Sequence, residues 1–353
     1  MVCIAAFIIL IIVGIFVAAI SIFKPKIGKK YLKTLKRSWG CVGKRVTLQK
    51  CETGFGDDLK NSVLSKLIIR HPKWVKPVSA IIEVFSILIV VITVWSLVEG
   101  AKAGLALYSL GTCNVKHAEA CSLGSEVCSI DNNTEATNPI EYIGLWFSDW
   151  GEIFSAIPDK FRDWNTENFD VTAIEIENSG KPTAIDFYDP GCIVCKQSFK
   201  TQLDTGFFEN YSVKLVVFPI QDNDGKFKYP NSDLIARYIY AVNEKEQNKT
   251  TDSIVFKIIK RIYTEDDPEH GAWLDSFNDF YSNEETREIL KKWLKEFGLS
   301  DKEISEISER VTSNTIDEII QKNNDIVVNQ IHAKGIPTLI YDGKKHTGRY
   351  EAK

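Results

Sequence analysis

The chain has 353 residues, 44% of them hydrophobic, and a formal net charge of −4. That length accommodates two ordinary domains. The near balance of 43 basic and 47 acidic residues leaves no electrostatic footprint for nucleic acid, so no nucleic-acid partner is expected.

In chain order, residues 1–23 come first. Val2 to Phe23 is almost wholly Ile, Val, Ala, Phe and Leu, about the length a helix needs to cross the hydrocarbon. A cleaved signal peptide carries its positive charges ahead of the apolar stretch. Here Lys24, Lys26, Lys29, Lys30, Lys33, Lys36 and Arg37 follow it, which predicts a retained transmembrane helix. The basic loop 24–77 runs on through Lys44 and Arg45 to Arg70, Lys73 and Lys76. Residues 78–99 hold a second apolar run, Val78 to about Val98, interrupted only by Glu83, and predict a second transmembrane helix. Basic residues stay on the cytoplasmic side. The loop is therefore placed inside, and the N-terminus and everything after about Gly100 outside. This describes a multi-pass cell-membrane protein whose partners include the lipid bilayer. Cys41 and Cys51 in the loop read either as reduced thiols of a small folded loop or as a redox pair receiving cytoplasmic electrons. Only His71 stands near them as a further soft ligand, short of the four a structural zinc site takes.

Residues 100–164 read as an extracytoplasmic, Cys-containing linker and an amphipathic helix. Cys113, Cys121 and Cys128 predict one structural disulfide with a cysteine left over; the pairing is not readable from spacing, and Cys3 is a conceivable fourth member. His117 lies among them in no zinc-like spacing, and no metal site is assigned. From Pro139 to about Trp164, Ile140, Ile143, Phe147, Trp150, Phe154 and Ile157 recur every three or four residues, as on one helix face. Two placements stay open for that face: packing against the following domain, or lying at the membrane interface, where Trp is favoured.

Residues 165–353 read as an α/β domain. Val171 to Ile176 alternates as a first strand, Thr183 to Tyr188 is an apolar strand with one acid, and Val213 to Ile220 is a third strand. Between the second and third strands lies the most informative feature, Cys192-Ile193-Val194-Cys195, opening a helix that continues to about Asn210. Two cysteines three apart at a helix start can close a reversible disulfide, although zinc ribbons share the spacing. More than a hundred residues separate the third strand from Pro337. They read as a helical insertion at about 231–330, with capping boxes at Ser282/Glu285 and Ser300/Glu303. Leu290, Trp293, Leu294 and Phe297 line one helix face there, and Ile304, Ile307, Val311, Ile316, Ile319 and Ile320 another. Gly335-Ile336-Pro337-Thr338 then opens a strand to Tyr341, Asp342-Gly343 makes a hairpin turn, and His346 to Tyr350 is a last strand.

Strand, CxxC, helix and a late Ile-Pro-Thr before a strand resemble the thioredoxin superfamily. The helical insertion favours its DsbA-like, membrane-associated oxidoreductases. The resemblance covers about residues 165–353 and rests on Cys192 and Cys195, on Pro337 at the family's cis-proline position, and on Asp186 at its buried carboxylate, six residues before Cys192. It implies a thioredoxin-like fold and exchange of protein disulfides through a redox-active disulfide, with no other cofactor. The family also closes with a helix that this chain lacks, which points to a truncated chain or a sheet face covered by another segment.

In that framework Cys192, at the helix N-terminus, is the expected nucleophile, because free backbone N–H groups and the helix dipole favour a thiolate. Cys195, one turn inside, is the expected resolving thiol. Asp186 is its candidate proton acceptor, with a carboxyl raised by desolvation, unless it is an exposed strand-end acid. Pro337 in cis would turn the Ile336 backbone toward the cysteines to pair with an extended substrate, with Ile193 and Val194 also facing it. Apolar Ile193 and Val194 give the Cys192 thiolate little help, and Asp189 opposes it, which predicts a couple less oxidising than the family's extreme. The expected partners are extracytoplasmic proteins with thiols or disulfides. Two membrane helices offer little room for a quinone site, so a separate membrane redox partner is also expected. An oxidase is favoured by compartment, with isomerase or reductase open. The contrasting reading is a non-catalytic binding or assembly module with a static disulfide.

Overall fold

The computed structural model describes residues 75–352, apart from 122–125, 131–135 and 222–224. The apolar segment 1–23, with Cys3, and the basic loop as far as residue 74, with Cys41 and Cys51, lie outside the described residues. The chain forms two compact units, Met1–Ala101 and Lys102–Lys353.

Helix α1, Val75–Leu110, has 36 residues, which at 1.5 Å per residue is about 54 Å, against about 30 Å for the bilayer hydrocarbon. Its stretch Ile87–Leu110 has a mean hydropathy of 1.7 and is the one helix among the described residues long and apolar enough to cross a membrane. In the first unit Phe85, Val91 and Leu97 are exposed. The helix runs on past residue 99, where the sequence ends the second span. Gly100 and Gly104 stay helical, and the stop falls at Gly111, whose φ of +79° suits a glycine after a helix C-terminus.

The second unit contains the remaining elements. After α1 come strand β1 (Cys128–Ser129) and helix α2 (Pro139–Ala156), then β2 (Ile174–Ile176), β3 (Thr183–Tyr188), α3 (Ile193–Asp204), the short α4 (Phe207–Asn210) and β4 (Ser212–Val217). The insertion follows as α5 (Ser232–Asn243), α6 (Ile254–Thr264), the small β5 (Asp266–Asp267) and β6 (Gly271–Ala272), α7 (Trp273–Asp279), α8 (Asn283–Glu296), α9 (Asp301–Arg310) and α10 (Asn314–Asp325). A π turn at Ile326–Gln330 leads to β7 (Gly335–Ile336), β8 (Thr338–Tyr341) and β9 (Lys344–Thr347).

Five strands form one sheet in the order β2-β4-β3-β8-β9. β3 and β4 are parallel, and the other neighbours are antiparallel. β3 is buried from Ala184 to Tyr188, as a central strand covered on both faces must be, which explains its continuous apolar run. This strand order, with a helix-opening CxxC after β3 and a cis proline before β8, is a thioredoxin-like α/β fold. Both capping boxes form: Ser282 with Glu285, and Ser300 with Glu303. Leu290, Trp293, Leu294, Ile304, Ile307, Val311, Ile316 and Ile320 are all buried, so the insertion closes on its apolar faces.

Several boundaries move from the sequence reading for local reasons. The CxxC helix stops at Asp204 because Gly206 takes φ +70° and restarts the chain as α4. The last strand begins at Lys344 rather than His346. Asp342 and Gly343 both have positive φ, giving a two-residue turn after which pairing resumes at once, Tyr341 opposite Lys344.

Helix α2 begins at an N-cap Asn138 that accepts from Glu141 N, with Pro139 in the first turn. It ends at Ala156, short of Trp164. Its buried residues are Asp149, Ile153 and Ala156. Ile153 and Ala156 join Ala106, Leu110 and Val115 in a small apolar cluster, while Asp149 takes the ammonium groups of Lys102 at 2.6 Å and Lys116 at 3.5 Å. The periodic apolar face points the other way: Ile140, Ile143, Phe147 and Phe154 are exposed.

Candidate active site

Cys192 is the N-cap of α3. The Cys195 backbone N–H points at its Sγ from 3.4 Å, so the helix end faces the sulfur, as anion stabilisation requires. The loop that delivers it is held from several sides. Asp189, in an Asp-Pro-Gly turn, accepts from Gly191 N through Oδ1 at 2.7 Å and from Ile220 N through Oδ2 at 2.7 Å, and Ser232 Oγ also donates to Oδ1. Tyr263 Oη donates to the Asp189 carbonyl at 2.8 Å and Asn278 Nδ2 to the Gly191 carbonyl at 2.9 Å. Ser232, Tyr263 and Asn278 all come from the insertion, so those helices clamp the cysteine loop. Gly191 is needed there because a Cβ would lie 2.5 Å from the Tyr229 side chain.

The Ile336–Pro337 peptide bond is cis. The Ile336 carbonyl oxygen lies 3.8 Å from Cys192 Sγ. Pro337, Ile336 and Cys192 therefore meet, although 144 positions separate Cys192 from Ile336. Ile193 is 45% exposed beside the cysteine, and Val194 is half-buried.

Cys195 is buried and is the one free cysteine among the described residues. Burial pushes its thiol well above the ordinary value, and the carboxylates of Asp186 and Asp189 push it further. Asp186 is buried rather than exposed at a strand end. Its Oδ2 accepts from Gln202 Nε2 at 2.8 Å, and its Oδ1 has no hydrogen-bond partner among the described residues. Burial raises this carboxyl from 3.8 to about 7, with the Gln202 hydrogen bond opposing. A group titrating near neutrality can both give and take a proton.

Two disulfides are present among the described residues: Cys113–Cys121 and Cys128–Cys192. Cys192 thus bonds to Cys128 and not to Cys195. The strand that carries Cys128 pairs antiparallel with β7, Cys128 opposite Ile336 and Ser129 opposite Gly335. Ile130 N extends the pairing by donating to the Lys334 carbonyl at 3.1 Å. Cys192 is fully buried in this state.

The sequence reading did not find Cys128 at the site, nor Gln202, Ser232, Tyr263 and Asn278. Gln202 follows Cys195 by seven residues on a helix, which puts both on one face, so that signal was present. Asp189 was read only as opposing the Cys192 thiolate. Its Asp-Pro-Gly setting is a turn signal in which the side chain accepts a backbone N–H two residues on, and that is the bond it makes to Gly191. Its carboxyl is fully buried and raised by that burial to about 6. Among the described residues no group of three or more His, Cys, Asp or Glu side chains gathers as a metal site.

No family model matches the chain, and neither does any curated protein. Solved structures do. The MdbA protein, a thiol-disulfide oxidoreductase from Corynebacterium diphtheriae, is 14% identical with a TM-score of 0.36, over 49% of this chain and 83% of that one. The thiol-disulfide exchange protein alpha-DsbA2 from Wolbachia pipientis is 17% identical with a TM-score of 0.36, over 57% and 88%. A thioredoxin-like oxidoreductase from Silicibacter pomeroyi DSS-3 is 16% identical with a TM-score of 0.36, over 53% and 91%.

Proposed function

We propose that the chain is a membrane-anchored, extracytoplasmic protein thiol–disulfide oxidoreductase that works through Cys192 and Cys195 with no cofactor beyond their disulfide. The observation that carries this reading is the meeting, in one buried site, of Cys192 at a helix N-terminus, the cis Ile336–Pro337 junction, free Cys195 and Asp186 with its carboxyl near neutrality.

In the oxidising direction a substrate thiolate attacks Cys192 Sγ of the Cys192–Cys195 disulfide. The sulfur–sulfur bond breaks, and Cys195 leaves as a thiolate that its buried setting disfavours, so it takes a proton, with Asp186 as the donor. A second substrate thiolate then attacks the substrate sulfur of the mixed disulfide and releases the Cys192 thiolate, which faces the helix N-terminus. Two electrons pass from the substrate to the dithiol, and a separate membrane partner removes them. The reductive direction reverses each step, with Asp186 taking the Cys195 proton. Oxidation is the favoured net direction because an extracytoplasmic compartment sustains it.

Anchoring rests on the apolar helix α1 and on the apolar segment 1–23. The outward apolar face of α2 favours the membrane-interface placement of that helix over packing against the redox domain.

Replacing Cys195 by Ser in the full chain, kept in membranes, removes the resolving thiol. Substrate proteins should then accumulate as Cys192 adducts that dithiothreitol releases, and Cys192→Ser should hold none. If adducts are missing both there and in Cys128→Ser/Cys195→Ser, where no internal thiol competes, the site is a static binding or assembly module.

A further inference from the structure

β7 takes no part in the five-stranded sheet; among the described residues its one partner strand is β1. An unpaired strand edge beside a reactive sulfur is where an extended peptide docks by adding a strand. In this chain residues 127–130 are that peptide. Val127, Cys128, Ser129 and Ile130 are all buried, Cys128 sits opposite Ile336, and its sulfur is bonded to Cys192. The fit is close: a Cβ on Gly335 would lie 2.7 Å from the Val127 side chain and 3.1 Å from the Cys128 carbonyl oxygen. Lys228 Nζ approaches the Ser129 carbonyl at 3.4 Å, and the Arg349 guanidinium lies 3.8 Å from the Glu126 carboxylate at the strand's outer end.

We propose that Cys128 is a third redox cysteine, carried on a strand that fills the chain's own substrate groove, so that the oxidised site exists as two exchange isomers. This rests on the oxidoreductase reading and deepens it. In the closed isomer Cys128–Cys192 is an internal mixed disulfide and Cys195 is a thiol. In the open isomer Cys192–Cys195 is the disulfide and Cys128 is a thiol. They interconvert when Cys195, giving its proton to Asp186, attacks Cys192 Sγ. The Cys192–Cys128 bond breaks, the Cys192–Cys195 bond forms, and the Cys128 thiolate takes up a proton. No electrons enter or leave, so no external oxidant or reductant is needed.

The closed isomer seals Cys192 from solvent. An external protein must displace the β1 strand, which competes from within the chain at an effective concentration of about millimolar order for a tethered segment. The groove therefore selects extended, cysteine-bearing segments able to pair with Gly335 and Ile336 better than residues 127–130 do.

Disulfide mapping of the full chain in membranes tests this, after equilibration in glutathione buffers, acid quenching and alkylation. Wild type should yield both Cys128–Cys192 and Cys192–Cys195 peptides. Because the isomers carry the same number of electrons, their ratio should stay constant as the glutathione poise changes. Gly335→Ala, which keeps every cysteine but crowds the strand, should shift the ratio toward Cys192–Cys195. Cys128→Ser, which removes the bond that holds the strand over Cys192, should raise the initial rate with an unfolded protein substrate by the inverse of the open fraction that the mapping gives for wild type. Wild type holding only Cys192–Cys195, with Cys128 alkylated, overturns the inference and leaves the oxidoreductase reading intact. So does a Cys128–Cys192 bond that never exchanges while Cys128→Ser is active. A chain inactive both as wild type and as Cys128→Ser overturns the oxidoreductase reading itself.

Discussion

Asp186→Asn removes the charge from the buried carboxyl beneath the cysteines while keeping an oxygen that can accept from Gln202 Nε2. In the folded chain burial holds that carboxyl at about 7 instead of 3.8. At 1.36 kcal/mol per pKa unit, this shift corresponds to about 4 kcal/mol of folding stability. The sign follows from proton uptake. The folded state binds the proton more tightly than the unfolded state, so the contribution is fully present below pH 3.8 and is lost as pH rises toward about 7. Wild type should therefore lose stability across that window. Asp189, also raised by burial, to about 6, adds a like loss in both chains, so the difference between the two curves isolates Asp186. Urea unfolding of the full chain in detergent micelles, followed at a series of pH values, measures it. The variant should match wild type near pH 4 and exceed it by about 4 kcal/mol near pH 8. Parallel curves, or a wild type that gains stability through the window, would refute the assignment of a buried, raised carboxyl. The same variant should slow resolution of a Cys192 mixed disulfide about a hundredfold near pH 7, the usual contribution of a positioned base. That defect should shrink as pH rises toward the elevated range of the Cys195 thiol.

Two further outcomes follow from packing. Gly191→Ala should destabilise the chain by about 1–3 kcal/mol, the range for overpacking, because its Cβ would meet Tyr229 at 2.5 Å; thermal unfolding reads the loss, and an unchanged midpoint would contradict the clamped loop. A spin label on Phe147→Cys in lipid vesicles should be reached by a lipid-soluble relaxing agent more readily than by a water-soluble one, whereas a label at exposed Lys292 should show the reverse. Equal access by the aqueous agent at both positions would show that α2 does not lie on the bilayer.

Local chemistry made much of this protein readable before folding. The helix opened by Cys192, the two Ser/Glu capping boxes and the Asp342-Gly343 turn all report interactions within a few residues, and such interactions are written in spacing. Pro337 and Asp186 were legible only by resemblance: Ile336, beside Pro337, meets Cys192 across 144 positions, and the burial that raises Asp186 is supplied by the folded sheet and helices around it. Helical period showed that α2 has an apolar face. It was silent on what that face meets, and the buried side turned out to be the one bearing Asp149, Ile153 and Ala156. Above all, spacing ties Cys192 to Cys195, three residues away, whereas the folded chain ties it to Cys128, 64 residues away. Which cysteine reaches that sulfur is decided by a strand edge that exists only once β7 lies beside the helix N-terminus. Sequence sets which groups can react; the closeness of distant backbone sets which of them do.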